Sequence, residues 1–583
     1  MTYSSTSPQK EGSSVAQSAA QETGVSFRFL NICQFIGAMN DNVFKLLLAF
    51  CFINLEGPAS SNRILAMAGG VYVLPFILLS TTAGILADKY SKRSIIIGTR
   101  VAEIASILVG ILAFGVESKY LAFFALLLLS SHSAIFGPCK YGIVPEIVPK
   151  ELISKANGIL TSFSYVAIIV GTFLAAFLTD ITDKNFVLAL VISGIFSIFS
   201  LLSSFKIQRT PPAGSHKKVS PKLISQLINN IRVIRREPSL LPAVLGSSFF
   251  LFAGSYVQLN MIPFALNSLG LSEVQGGYMF LLTALGIGIG SLLAGKLSGK
   301  AVELGLVPFG GIGMATSCLL LHYWSHNLPV VLTLVFLIGF FGGTYLVPLE
   351  SYIQVTSPAK RRGQIVATVN VLGFFGVLLS AISMYIISEV VGLPPDQGFV
   401  IIGSVTLVMA ISISFSVSGY IVRFVSFIMS FFCFPSYLKG KEQIPLDTPS
   451  IFFVPHSFWP WAPVLLASQR RRMRLFTLNP QTKPPLIGEL IRRLIRIKNI
   501  YSMQEILPEG IYAESIHHAI SRGTSIAIFC SKKNLSDHVY PFLQAWAEEK
   551  ALQNVSFFSV NTTDDQEDHD KPWASAHIEK ISL

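Results

Sequence analysis

Runs of apolar residues long enough to cross a bilayer recur along this 583-residue chain. About twenty such residues in a helix span the hydrocarbon core. The first run covers 27–55. Five more follow at about 63–87, 94–115, 120–137, 157–178 and 186–205. A polar stretch, 208–238, then intervenes. Six further runs cover about 240–266, 276–297, 302–324, 328–349, 364–391 and 398–422. Only 13% of the residues are charged and 51% are hydrophobic, whereas a soluble domain carries about a quarter charged residues. The expected fold class is therefore an all-α membrane bundle of 12 transmembrane helices, six plus six. A change of character after 434 marks a small cytoplasmic α/β domain. The expected divisions are 1–26, a disordered N-terminus; 27–207, the first six-helix half; 208–238, a basic loop; 239–434, the second half; and 435–583, the α/β domain.

Charge placement sets the orientation. Loops after even-numbered helices hold Lys89, Lys92, Arg93, Lys150, Lys155, Lys296, Lys300, Lys360, Arg361 and Arg362, and the polar stretch adds Lys217, Lys218, Lys222, Arg232, Arg235 and Arg236. Loops after odd-numbered helices hold few basic residues. Positive loops stay inside, so both termini are expected to be cytoplasmic. The net charge of +12 is accounted for by these loops, which meet anionic lipid, and no nucleic-acid partner is expected. The six cysteines are scattered, with no spacing for a metal site or a disulfide frame. Residues 1–26 lack a basic start followed by a short apolar core, so no cleaved signal peptide is expected.

Within the first run stand Asn40, Asp41, Asn42 and Lys45. A charge at bilayer depth is costly and usually faces a bundle interior or a wet cavity. Asp41 and Lys45 are four residues apart, on one helix face and able to pair. Two readings stand side by side: a structural ion pair, or a polar site in a transport path. Around Lys140, Pro138 and Pro145 are expected to break helix 4 and expose backbone groups beside a cavity. A Lys snorkelling from a helix end is the alternative. Glu350 and Gln354 follow Val347-Pro348-Leu349 in another apolar run, and Gly286, Gly288 and Gly290 suit close helix packing.

The loop after helix 2 carries Gly84, Asp88, Lys92 and Arg93, and Gly295-Lys296-Leu297-Ser298-Gly299-Lys300 stands at the matching place in the second half without the acid. The first of these resembles the loop signature of the major facilitator superfamily, which implies conformational gating by Gly84, Asp88, Lys92 and Arg93. Adding Gln34-Phe35 with Asp41-Asn42, the block from Gly137-Pro138 to Glu146, Ala156-Asn157-Gly158, and Val347-Pro348-Leu349 with Gln354, the chain from 27 to 422 resembles the bacterial lysophospholipid transporter family. That resemblance implies movement of lysophospholipid to the inner leaflet of the bacterial inner membrane for re-acylation. Its substrate-binding candidates are Asp41, Asn42, Lys45, Lys140 and Glu350, with Asp41 facing the amine of a zwitterionic head group and Lys140 its phosphate.

After 434, the short apolar runs 450–454, 474–478, 525–529 and 555–560 alternate with helical patterns at 485–496 and 512–522. This part resembles the glycerolipid acyltransferase domain fused to such transporters in some bacteria. In that family a His is followed by an Asp five residues on. Here His456 is followed at that distance by Trp461, which cannot orient an imidazole as a carboxylate does. The family's later Pro-Glu-Gly is replaced by Cys530-Ser531-Lys532, while Pro508-Glu509-Gly510 precedes the lead-in strand and reads as a turn. The resemblance thus implies a scaffold without its activity, with His456 as a weak catalytic candidate. No cofactor or metal is expected. Proton or sodium coupling stays open, and an acyl donor enters only if the domain is active. Expected partners are the bilayer, the lysophospholipid and a separate acyltransferase. Two alternatives remain: an active bifunctional transporter and acyltransferase, and a facilitator for another small solute.

Overall fold

A computed structural model describes residues 8–57, 61–215, 223–236, 240–271, 273–298 and 302–416. Beyond these it describes 438–439, 443–444, 448–454, 465, 473–477, 500–502, 520, 525–529, 556–562 and 576–581. The chain forms two compact units. One holds Met1–Val302 with Leu306–Ile413, and the other holds Glu303–Gly305 with Ser414–Leu583.

Among the described residues, the regular elements of the first unit are all helices. Its helices are α1 (Pro8–Glu56), α2 (Ser61–Lys89), α3 (Lys92–Gly115), α4 (Lys119–Ile147), α5 (Ile153–Ile181), α6 (Phe186–Ser204), α7 (Leu223–Arg236), α8 (Leu240–Leu269), α9 (Glu273–Ser298), α10 (Leu306–Tyr323), α11 (Leu328–Thr356), α12 (Arg362–Tyr385) and α13 (Pro395–Ser416). Among the described residues, twelve helices are long and apolar enough to cross a membrane, all but α7. Three local expectations change. Helix α1 reaches back to Pro8, into the segment expected to be disordered, because adding a residue to an existing helix avoids the cost of a new nucleus. The basic stretch contains a helix, α7, whose Gln226, Asn230 and Ile234 are buried at four-residue spacing, one helix face. Helix α4 is not broken: it runs through Pro138 and Pro145 to Ile147. Neighbouring helices and local adjustments let membrane helices absorb a lost N–H.

Each half has its own apolar interior. Val43, Phe44 and Leu47 of α1 pack with Leu126 and Leu129 of α4 and Leu190 of α6. In the second half, Tyr256 and Phe264 of α8 pack with Met314, Val335 and Phe399. Lipid tails compete equally for apolar side chains, so small residues that admit close backbone approach carry much of the association. The Gly-rich stretch serves this purpose. A Cβ on Gly286 would strike the backbone of Phe336 and Phe340, and one on Gly339 would strike Thr283, so α9 and α11 touch backbone to backbone.

The described strands of the second unit form a seven-stranded sheet in the order β1-β7-β6-β2-β5-β3-β4. The strands are β1 (Leu438–Lys439), β2 (Ser450–Val454), β3 (Met473–Thr477), β4 (Ile500–Ser502), β5 (Ser525–Phe529), β6 (Ser556–Thr562) and β7 (Ala576–Ile581). All neighbours are parallel except β6 and β7. The four apolar runs expected as strands are β2, β3, β5 and β6. Strand β2 is buried along its whole length, as a central parallel strand should be. The expected helical patterns at 485–496 and 512–522, together with His456, Trp461, Glu509 and Ser531, lie outside the described residues.

Candidate functional site

Polar groups lie inside the helical unit both within the first half and between the halves. The Ser133 hydroxyl donates to Asp41 Oδ2 at 2.7 Å and the Tyr72 hydroxyl to the same oxygen at 3.4 Å, while Asp41 Oδ1 is buried with no hydrogen-bond partner. Lys45 does not form the expected ion pair with Asp41. Its ammonium donates to Asn42 Oδ1 at 3.4 Å and lies 5.5 Å from the centre of the Tyr72 ring. Tyr72 contacts both charges, its hydroxyl on the acid and its ring toward the ammonium. Asn42 itself donates back to the Ala38 carbonyl at 2.8 Å.

Beside this stands a cluster that sequence reasoning missed. Arg100 and Glu103, three residues apart on α3, form an ion pair at 2.5 Å with essentially no exposed surface. Glu103 Oε1 accepts from Asn40 at 3.1 Å and from Ser197 at 2.9 Å, Ser193 donates to Asn40 Oδ1 at 3.0 Å, and the Arg100 guanidinium lies 4.4 Å from the Phe136 ring centre. Gly37 leaves room for that guanidinium, which a Cβ there would overlap. The missed signal was the one that singled out Asp41: charges inside an apolar run.

Another polar group joins the halves. Lys140 of α4 donates to Gln34 Oε1 of α1 at 3.3 Å and to the Ser164 hydroxyl of α5 at 3.4 Å. Ser164 also donates to Gln34 at 2.9 Å, and Gln34 donates to the Leu160 carbonyl at 3.1 Å. One turn along α5, the Thr161 hydroxyl donates to Glu350 Oε2 of α11 at 3.3 Å. Glu350 lines a cavity with the polar residues Tyr141, Gln354 and Asn370 and the apolar residues Ile353, Val366 and Val369. Asn157 of α5 donates to Ser351 at 3.0 Å and to Gln354 at 3.2 Å, and Gln354 donates back to Asn157 Oδ1 at 3.0 Å.

The candidate gating residues sit at the same end of the helices. Asp88, fully buried at the end of α2, caps the start of α12. Its Oδ1 accepts from the Gly363 N–H at 2.7 Å, and its Oδ2 accepts from the Gln364 N–H at 3.0 Å and the Gln364 side chain at 3.1 Å. The first N–H groups of a helix have no partner within it and carry its positive dipole end, so a carboxylate from the other half is a well-matched cap. Gly84 allows the approach: a Cβ there would meet Gly363 O, the Gln364 Cα and the Ala367 side chain. Lys92, buried, pairs with Glu146 in the last turn of α4 at 2.5 Å, and Arg93 donates to the Phe205 carbonyl at the end of α6 at 2.9 Å. On the opposite side, Gly158 of α5 abuts Gly295 of α9. The second closure has the glycine contact without an acid, as its loop sequence reads.

Two six-helix halves that meet around buried charges, with a carboxylate-capped seam at one end, have the architecture of a membrane transporter. The chain belongs to the Major Facilitator Superfamily, which matches residues 30–381 and 244–418. Among curated relatives, the lysophospholipid transporter of Klebsiella pneumoniae (strain 342) is 26% identical over 370 residues, covering 62% of this chain and 89% of that protein. The lysophospholipid transporter of Serratia proteamaculans (strain 568) is 26% identical over 327 residues, covering 55% and 78%. Among solved structures, a human organic anion transporter superposes with a TM-score of 0.56 at 16% identity, covering 66% of this chain and 99% of its own. The E. coli fucose:proton symporter superposes with a TM-score of 0.53 at 15% identity, covering 66% and 97%. At these identities the two structures speak for the fold alone.

Proposed function

We propose that this chain moves lysophospholipid across the bacterial inner membrane, delivering it to the cytoplasmic leaflet for re-acylation. The observation that carries the reading is Lys140. It is an ammonium inside the bundle, held by Gln34 and Ser164 where the halves meet, and a phosphate is the anion that a lipid head group brings there. The relatives named lysophospholipid transporters match along most of their length, which supports the same substrate class. Asp41, whose Oδ1 is unpartnered, is the acid the amine of a zwitterionic head group meets on its way in. The acyl chain lies along apolar helix surface. Closure at the Asp88 end and its release alternate, with Gly84 and Asp88 as the contacts that part and Lys92 and Arg93 bracing their loop within the first half.

In this reading the C-terminal unit is an acyltransferase-like scaffold without turnover, because Trp461 and Ser531 stand where the chemistry needs acids. Purified protein that consumed acyl donor and lyso-lipid, and stopped doing so with His456→Ala, would overturn that part. The transport reading is tested by the phospholipid profile of a strain lacking the protein. Lyso-lipid accumulates if the reading is right. An unchanged profile, with a parallel salvage route also removed, points to another solute.

A further inference from the structure

We infer that Glu350 is the residue that reads the head group's ammonium, so that one zwitterionic head group bridges Lys140 of the first half and Glu350 of the second. The inference rests on the lysophospholipid reading and adds a selectivity to it. Three observations carry it.

The first is spacing. Lys140 is held at Ser164 and Glu350 at Thr161, on the same α5 face. Three residues of helix rise about 4.5 Å, and a phosphoethanolamine places its phosphate and ammonium only two carbons apart. The second is the place of the other acid. Lys140 bonds Gln34 on α1, and Asp41 stands seven residues further along that helix, about 10 Å away in rise. Asp41 and its partners Ser133 and Tyr72 all belong to the first half, so a head group spanning Lys140 and Asp41 engages that half alone. The third is the cavity. Glu350 lines a cavity together with the polar side chains of Tyr141, Gln354 and Asn370 and the apolar side chains of Ile353, Val366 and Val369. That mixed lining suits a head group joined to a glycerol and an acyl chain.

A ligand bridging a cation on α4 and an anion on α11 engages both halves at once, as a substrate that alternates with rocking must. A head group without an amine, such as phosphoglycerol, keeps the Lys140 contact and gains nothing from the Glu350 charge. Glu350 therefore determines preference among lysophospholipids and leaves the common phosphate seat unaltered.

The test is uptake of lysophosphatidylethanolamine and lysophosphatidylglycerol, side by side, by proteoliposomes of the full chain. The variants are Glu350→Gln, Glu350→Asp and Asp41→Asn. With Glu350→Gln, uptake of the ethanolamine lipid falls about tenfold or more, as expected for removing one charge of a buried, hydrogen-bonded pair, while uptake of the glycerol lipid stays within about twofold of the parent. Glu350→Asp retains an intermediate preference. Glycerol-lipid transport doubles as the folding control, and if Glu350→Gln fails to fold, Glu350→Asp carries the comparison. Equal loss of both lipids in folded protein, or a selective loss with Asp41→Asn and none at Glu350, overturns the inference. A parent that moves the glycerol lipid alone also overturns it but leaves the transport reading standing. A parent that moves neither lipid overturns the transport reading itself.

Discussion

At the scale of single residues, the interior of the first half is held by charges that answer one another. Arg100 and Glu103 are both buried, and Glu103 also gathers Asn40 and Ser197. Removing one partner of such a pair strands the other charge, which costs about 3–5 kcal/mol, whereas replacing both with well-fitting apolar side chains is often close to neutral. Glu103→Ala is therefore expected to lower thermal stability in detergent severely, and Arg100→Met with Glu103→Met much less. Equal losses for the single and double variants would show that the pair is not the source. Asp41, Lys45, Lys140 and Glu350 were legible in the sequence because a charge in an apolar run always asks for a reason. Their partners were not legible. Spacing placed Asp41 and Lys45 on one face, yet Lys45 bonds Asn42 instead and Asp41 takes the Tyr72 hydroxyl, 31 residues away in sequence.

Among the helices, the instructive contact is the end of α2 against the start of α12. Asp88 stood out in its loop as a candidate for gating, but the groups it caps stand 275 and 276 residues away, and no local pattern names them. Asp88→Asn keeps the shape and loses the charge and one acceptor at the helix start. Caps and charges of this kind contribute roughly 1–2 kcal/mol. The expected outcome is a seam that opens about five- to thirtyfold more readily, read as faster labelling of a cysteine placed at Ala367. Unchanged labelling would contradict the lock. Gly84→Leu goes further. Its side chain meets Gly363, Gln364 and Ala367, so transport should fall at least tenfold in protein that still inserts and remains monodisperse. Full activity would mean that α2 and α12 need not close this far. The proline expectation for α4 failed for a physical reason: a proline deletes one N–H, and a helix enclosed by others tolerates that.

For the molecule as a whole, the sequence was most informative where the bilayer constrains it most. Backbone groups must be satisfied inside the membrane, so length and apolarity alone placed the twelve spans. Outside the hydrocarbon that constraint lapses, and α7 went unread as a helix although its buried face is regular. The four β-rich runs of the C-terminal unit were readable as strands because parallel strands are buried on both faces. Their order in the sheet was not, since it depends on pairings far apart in sequence. Function follows the same division: the fold is common to many solutes, so the substrate has to be argued from side chains inside the bundle. The most direct measurement is uptake of labelled lysophosphatidylethanolamine by vesicles carrying the full chain, beside Lys140→Ala. Uptake by the parent and a loss of about tenfold or more in folded Lys140→Ala protein is the predicted result, the scale expected when a buried charge contact to phosphate is removed. Uptake that survives Lys140→Ala undiminished, or a correctly folded parent that takes up none, would contradict the account.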